Sequence, residues 1–307
     1  MHVRQVLAAL VTSVALAAVV SGCSTSATPS SSAKILAVGA ENQYSSVISQ
    51  IGGRYVSVTS ILSDPNTDPH TFEASAKVAE TISQAAIIVQ NGLGYDSFMT
   101  KLEAASPNSR RSVITAQAVL GLPDSTRNPH LWYSPKTMPA VASRISATLT
   151  KLQPAHRAYF RANLAKFDAS LRTWTDALAA FTAAHPDVAV ATTEPVADYM
   201  LDAAGVDNRT PWALQAAIMN DTDPAPQDVA TQNSLLRNSR VKAFVYNQQV
   251  TDSITSNYLK LAAASGIPVV GVYETMPTDG YDYQTWMTAE VKALDRAVTS
   301  GKSTVKL

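Results

Sequence analysis

The sequence contains few of the residues on which specialised chemistry often depends. Its 307 residues include one cysteine and five histidines, and only 16% are charged. One cysteine excludes an intramolecular disulfide, a cysteine-based zinc cluster and an iron–sulfur site. The 24 basic and 24 acidic residues leave no net charge, so nucleic acid is not expected as a partner. An apolar fraction of 46% is enough for a folded core and excludes wholesale disorder.

The N-terminal apolar run, residues 6–20, is shorter than the roughly 20 residues that a membrane-spanning helix needs. With Arg4 before it, this run predicts a secretory signal peptide over 1–22. The small residues just before Cys23 resemble the lipobox of bacterial lipoproteins, in which the cysteine carries the lipid. Residues 23–33 would then be the lipidated cysteine and a flexible tether. The alternative is a plain secretory signal with an incidental cysteine. Either way we expect an extracytoplasmic protein, and the lipobox favours anchoring to the cell membrane.

Short Val- and Ile-rich runs alternate with segments of helical periodicity on both sides of a central stretch. This alternation predicts an α/β fold of two lobes, each a mainly parallel sheet flanked by helices. The predicted strands are 35–38, 56–61, 87–90 and 113–115 in the first lobe, and 188–192, 243–246 and 269–272 in the second. The predicted helices of the second lobe are 196–204, 226–238 and 252–265.

The central stretch has no strand signal. Ser134-Pro135 is expected to begin one helix, and Pro154 a second that runs to about Ala184 with apolar residues three to four apart. We therefore predict one long rigid helix over 153–185 that joins lobes 34–152 and 186–307. The ligand site is expected in the cleft between the lobes, at the carboxyl ends of strands.

Two of the histidines share a repeated pattern. Asp68-Pro69-His70-Thr71-Phe72 and Asn128-Pro129-His130-Leu131-Trp132 both read Asp or Asn, Pro, His, any residue, aromatic. Because proline stiffens the backbone beside each imidazole, the pair suits a divalent transition metal. The alternative is two turns that merely cap helices. His156 and His185 are expected to have structural roles.

Two carboxylates follow predicted strands of the second lobe. Glu194 lies two residues beyond 188–192, and Glu274 lies two residues beyond 269–272. Both would complete a metal site with the two imidazoles. For Glu194, a place at a helix start that favours negative charge is the alternative interpretation.

These residues also resemble a family, the solute-binding lipoproteins of zinc/manganese ABC importers with a rigid backbone helix between two lobes. The resemblance spans essentially the whole mature chain. It is carried by the segments 41–44, 51–53, 68–70, 91–92, the surroundings of His130, 222–226 and 283–287. The resemblance implies metal ligands at His70, His130, Glu194 and Glu274, with Asp279 as the competing candidate for the fourth position.

We expect a monomeric, non-enzymatic receptor, and the resemblance implies that it delivers its ion to a membrane permease driven by a cytoplasmic ATPase. Mixed imidazole and carboxylate ligation suits Mn²⁺, Zn²⁺ and Fe²⁺, and Glu194 tilts the expectation slightly towards manganese.

Two other functions stay open at this point. One is an extracytoplasmic metallohydrolase that uses His70, His130 and one glutamate, with Asp279 or Asp282 as base. The other is a surface adhesin with a purely structural metal. Four protein ligands leave little room for a reactive water, and no His-Glu-x-x-His motif occurs, so capture and delivery is favoured.

Overall fold

A computed structural model of the chain describes residues 33–66, 69, 72–277 and 280–307. All elements named below lie within Lys34–Leu307, which forms a single compact unit. Cys23, His70 and Asp279 lie outside the described residues, as do the predicted signal peptide and nearly all of the tether.

The N-terminal sheet consists of four parallel strands in the order β2-β1-β3-β4. These strands are β1 Ile35–Glu41, β2 Val56–Leu62, β3 Ile87–Gln90 and β4 Ser112–Thr115. The helices between and after them are α1 Asn42–Gly52, α2 Ala76–Gln84, α3 Ser97–Ala105 and α4 Ala116–Val119, with a 3₁₀ turn at Gly53–Tyr55. Strand β3 is buried along its whole length, as expected of a central parallel strand covered on both faces.

The C-terminal sheet repeats this arrangement, with four parallel strands in the order β6-β5-β7-β8. Its strands are β5 Ala189–Thr192, β6 Asp207–Asn208, β7 Ala243–Asn247 and β8 Val269–Val272. The helices of this half are α8 Asp198–Ala203, α9 Trp212–Met219, α10 Pro226–Arg237, α11 Ser253–Ala264 and α12 Tyr283–Ser300. The two sheets and their flanking helices confirm the predicted fold class.

The helical stretch between the sheets differs in detail from the prediction. Helix α5 covers Thr137–Leu152, and a 3₁₀ turn at Pro154–His156 leads into α6, Arg157–Ser170, and α7, Arg172–Ala184. The predicted single helix is therefore divided at Leu171. Its backbone stays near helical values, with φ −65° and ψ −19°. The Ser170 hydroxyl donates to the Phe167 carbonyl, 2.7 Å away, and shares it with the Leu171 N–H, which is the kind of side-chain competition that distorts helices.

Elements β6, α9 and α12 are not among those predicted from the sequence. Strand β6 is only two residues long, too short for a hydrophobic pattern. Helix α12 contacts both α7 and β8, and its buried apolar residues recur every three to four positions, from Tyr283 through Met287 to Leu294. This helical periodicity is present in the sequence, but residues 283–287 were used above only for the family resemblance.

Candidate metal site

Three adjacent strands of the C-terminal sheet end in polar side chains that meet. Glu194 follows β5, Asn247 is the last residue of β7, and Glu274 follows β8. All three are buried. The Asn247 amide nitrogen donates to Glu194 Oε1 at 3.0 Å and to Glu274 Oε1 at 2.7 Å. One amide from the middle strand therefore joins the two carboxylates of its neighbours.

The N-terminal half contributes His130, whose ring is completely buried. Its Nδ1 lies 2.8 Å from Asn128 Oδ1, which also accepts the His130 backbone N–H at 3.0 Å. The Asn128 amide nitrogen donates to the Pro195 carbonyl at 2.8 Å, which fixes the orientation of the amide. Since Oδ1 can only accept, Nδ1 carries a proton, and in the neutral ring Nε2 keeps its lone pair. The ring is thus set in the tautomer that can bind a metal through Nε2.

The imidazole of the N-terminal half lies beside one carboxylate of the C-terminal half. His130 Nε2 lies 3.4 Å from Glu274 Oε2. The Tyr95 hydroxyl donates to the same oxygen at 2.9 Å. Burial, and then the nearby Glu274 and Glu41 charges, hold the pKa of Tyr95 well above its usual value. Tyr95 therefore stays a neutral donor that orients the Glu274 carboxylate.

Two further carboxyl groups are buried beside this cluster in the N-terminal lobe. Glu41 ends β1, and neither carboxylate oxygen has a hydrogen-bond partner among the described residues. Burial, and then the charge of Asp96, raise its pKa well above the usual value. Burial also raises the pKa of Asp96 to about 6, although it accepts the backbone N–H groups of Asn91 and Gly92. The surroundings of the site thus contain more acidic groups than the four expected ligands supply.

Of the residues proposed from the sequence, His130, Glu194 and Glu274 are brought to one place. Among the described residues, however, no three His, Cys, Asp or Glu side chains already form a group that could hold an ion. The alternative interpretation of Glu194 as helix-start decoration does not fit, because α8 begins at Asp198 and that residue is the acid of its first turn.

Asp282, one candidate base of the hydrolase alternative, has a different role. It is the N-cap of α12, and its carboxylate accepts the Thr285 N–H in a capping box. Such a cap is committed to the helix end.

The two histidines expected to be structural have contacts of that kind. His156 stacks on Tyr55 with ring centroids 3.7 Å apart. His185 follows α7 as its C-cap, and its Nε2 lies 2.9 Å from Asp295. Neither of these contacts involves His130, Glu194 or Glu274.

Sequence reasoning missed Asn247, Tyr95 and the role of Asn128. For Asn247 and Asn128 the sequence does contain a pattern that points to the site. Asn247 ends a buried strand just where Glu194 and Glu274 follow theirs, and Asn128 is the first residue of the repeated Pro-His pattern. Tyr95 carries no such signal, because it lies in a loop whose path depends on the fold.

The described residues include no helix long and apolar enough to cross a membrane.

Comparison with known proteins identifies the family of the chain. The family described as "ZnuA: Zinc-uptake complex component A periplasmic" matches residues 38–297.

The manganese-binding lipoprotein MntA of Bacillus subtilis is 27% identical over 158 residues, which are 49% of this chain and 51% of that protein. The chain thus matches about half the length of such curated relatives.

Two solved structures share the fold. A ZnuA crystal structure superposes with a TM-score of 0.69 at 21% identity, over 87% of this chain and 100% of that one. The periplasmic zinc-binding protein TroA from Treponema pallidum gives 0.71 at 18%, over 88% and 99%. Since the family match covers most of the sequence, the chain belongs to the ZnuA family of periplasmic zinc-uptake components.

Proposed function

We propose that this protein is the extracytoplasmic solute-binding component of an ABC importer, which captures a divalent transition metal between its lobes and delivers it to a membrane permease. The observation that carries the proposal is the buried meeting of His130, Glu194 and Glu274 at the ends of elements from both lobes. An imidazole in the metal-binding tautomer and two carboxylates are a suitable donor set for such an ion.

The spacing supports a metal at this place. A tetrahedral ion with bonds of about 2.1 Å keeps neighbouring ligand atoms about 3.4 Å apart. His130 Nε2 and Glu274 Oε2 are 3.4 Å apart, so one ion could bind both with little movement. His70 is proposed as the fourth ligand on the strength of the repeated Pro-His pattern. Two neutral imidazoles and two carboxylates would make the loaded cluster formally neutral, which reduces the cost of burying it.

The ion is proposed to be Mn²⁺ or Zn²⁺, with Fe²⁺ as a further possibility that the donor set allows. The relative named above is called manganese-binding, whereas the TroA structure is called zinc-binding. Competition dialysis against equal concentrations of Mn²⁺ and Zn²⁺ would identify the ion, since ordinary donor sets hold Zn²⁺ more tightly. Retention of Mn²⁺ would show that this site prefers Mn²⁺ in spite of the usual higher affinity for Zn²⁺.

The protein is also proposed to be anchored to the cell membrane and to work with membrane partners. Cys23 is proposed as the lipid attachment point, after removal of 1–22, with 23–33 as the tether. Lobes 34–152 and 186–307 would be joined by 153–185 and act as a monomer. The permease and its ATPase follow from membership of a family of uptake components.

The protein is proposed to bind rather than to catalyse. Four protein ligands would leave no open position for a reactive water. Asp282, one of the two candidate bases, caps α12.

The test is metal analysis of the purified, tag-free domain starting at Lys34. One ion per chain is expected in the wild type, and none in His130→Ala or Glu194→Ala. His156→Ala is the matched control, since that ring stacks on Tyr55 and its loss should leave the ion bound. Absence of metal from the wild type, or equal retention in all variants, would contradict the proposal. Hydrolysis of esters or peptides by the wild type would contradict the binding-only role.

A further inference from the structure

Asn247 is placed between two buried carboxyl groups. Its single amide nitrogen donates one hydrogen to Glu194 and the other to Glu274. Whenever both of these neighbouring carboxyl groups are ionised they repel each other, because the effective dielectric constant in a buried site is low. A donor that serves both of them offsets this repulsion.

The orientation of the Asn247 amide is fixed by its surroundings. Its Oδ1 accepts the backbone N–H of Gln249 at 3.0 Å, and its own N–H donates to Thr193 Oγ1 at 3.0 Å. The amide nitrogen must therefore point at the carboxylates. The Gln249 side chain in turn accepts the N–H groups of Glu274 and Thr275 at 2.7 and 2.8 Å. The amide and the loop that carries Glu274 thus belong to one hydrogen-bonded unit.

The two oxygens of the Glu274 carboxylate have different neighbours. Asn247 binds Oε1 of both glutamates, whereas Oε2 of Glu274 is the atom that lies 3.4 Å from His130 Nε2. The amide therefore contacts one oxygen of each carboxylate, while the other oxygen of Glu274 also accepts from the Tyr95 hydroxyl.

We propose that Asn247 is a positioning residue that holds Glu194 and Glu274 together in the metal-free protein and presents the second oxygen of each to the ion. The ligand roles rest on the proposed function, but the pairing of the two carboxylates does not. Without this amide the carboxylates would separate and the site would have to be reassembled each time an ion binds.

The first test uses Asn247→Asp in chelator-treated protein at pH 8. This variant keeps the oxygen that accepts from Gln249 and replaces only the NH₂ group, so three carboxylates meet. We expect the melting temperature to fall by about 10 °C. Glu194→Gln should then raise the melting temperature of Asn247→Asp by about 5 °C, although the same change leaves the wild type unaltered or slightly less stable. Equal effects of Glu194→Gln in both backgrounds would overturn the proposal.

The matched control is Asn208, which ends β6 and donates to the half-buried Asp198 at 2.9 Å. Asn208→Asp creates a similar clash away from the site, and Glu194→Gln should not relieve it. Relief there would mean that Glu194→Gln is generally stabilising, and it would overturn the inference.

The second test measures affinity for Mn²⁺ and Zn²⁺ alone. Asn247→Ala should weaken binding by about 10- to 100-fold, as expected when a residue that hydrogen-bonds to a metal ligand is lost. Asn208→Ala should not weaken binding. Unchanged affinity in Asn247→Ala would contradict the presenting role. If the wild type itself binds neither ion, the proposed function fails, and the melting experiments still decide whether Asn247 holds the carboxylates together.

Discussion

The two halves of the site orient their ligands by different means. The C-terminal lobe uses residues at the ends of three adjacent strands, with Asn247 between Glu194 and Glu274. The N-terminal lobe uses a turn beyond α4, in which Asn128 bonds to the ring of His130. The C-terminal lobe must offset the repulsion between two carboxylates. The N-terminal lobe must determine which ring nitrogen of His130 carries the proton. The same residue type, asparagine, serves one half as a donor and the other as an acceptor.

This difference indicates what each half contributes when the site is empty. A strand end is fixed by the sheet, so the carboxylates need only a shared donor. A turn lacks the backbone hydrogen bonds that fix a strand in a sheet. Asn128 instead donates a hydrogen bond to the Pro195 carbonyl of the opposite lobe. The orientation of His130 is thus coupled to the position of the C-terminal lobe, whereas the carboxylate pair is assembled within that lobe.

The largest effect is expected from removing a ligand. Glu274→Ala deletes a donor atom and the partner of Tyr95, and should weaken binding of Mn²⁺ and Zn²⁺ by more than about a hundredfold, since even outer partners cost 10- to 100-fold. Isothermal titration calorimetry would measure the loss. Asp295→Ala, which removes a partner of His185 and Thr299 on α12, should bind like the wild type. Wild-type affinity in Glu274→Ala would remove this residue from the site and leave Asp279 as the fourth ligand.

A smaller loss is expected when the tautomer of His130 is released. Asn128→Ala removes the acceptor from Nδ1, so the proton can move to Nε2, and affinity should fall by about 10- to 100-fold. Asn128→Asp keeps an acceptor and should bind more tightly than the alanine variant. Titration calorimetry of both variants tests this order. Asn163→Ala, which loses a bond to the Ile51 carbonyl, serves as the control, and an equal loss in that variant would contradict a specific role for Asn128.

Acid should weaken binding through the imidazole half. Protons compete with the ion for a ring nitrogen, and histidine ordinarily titrates near pH 6.5. Affinity should therefore fall about tenfold for each histidine ligand between pH 7 and pH 5.5, and titration calorimetry across this range would measure the fall. A wild-type affinity independent of pH would contradict a histidine-containing site.

The smallest effect at the metal is expected from Glu290, which lies where the lobes meet. Its Oε1 accepts from Trp286 at 2.9 Å and from Tyr133 at 3.4 Å. Burial raises its pKa to about 8. The folded chain then holds a proton that the unfolded chain releases near pH 4.5, so the free energy of unfolding should fall as the pH rises from about 4.5 to 8.

Glu290→Gln removes this titration and resembles the protonated acid. Its free energy of unfolding, measured in denaturant at pH 5, 7 and 9, should vary less with pH than that of the wild type. Metal affinity at pH 7 should be unchanged. A decline with pH equal to that of the wild type would show that Glu290 does not titrate in this range.

The same contrast between the halves explains what the sequence could predict. Val- and Ile-rich runs predict seven of the eight strands in the described residues, and strand ends direct attention to Glu194 and Glu274. The amide bridge was not predictable, because Asn247 is separated from these residues by 53 and 27 positions and meets them only through the strand order. The Asn128 contact with the ring depends on side-chain directions within a turn, for which the repeated pattern gives the residue type but no geometry.

The most direct test is a crystal structure of the Mn²⁺-loaded protein with an anomalous difference map recorded at a wavelength where manganese scatters anomalously. We expect one peak bonded to His130 Nε2 and to Oε2 of both Glu194 and Glu274, with Asn247 still bound to both Oε1 atoms. A peak away from these three side chains, or none at saturating Mn²⁺, would contradict it.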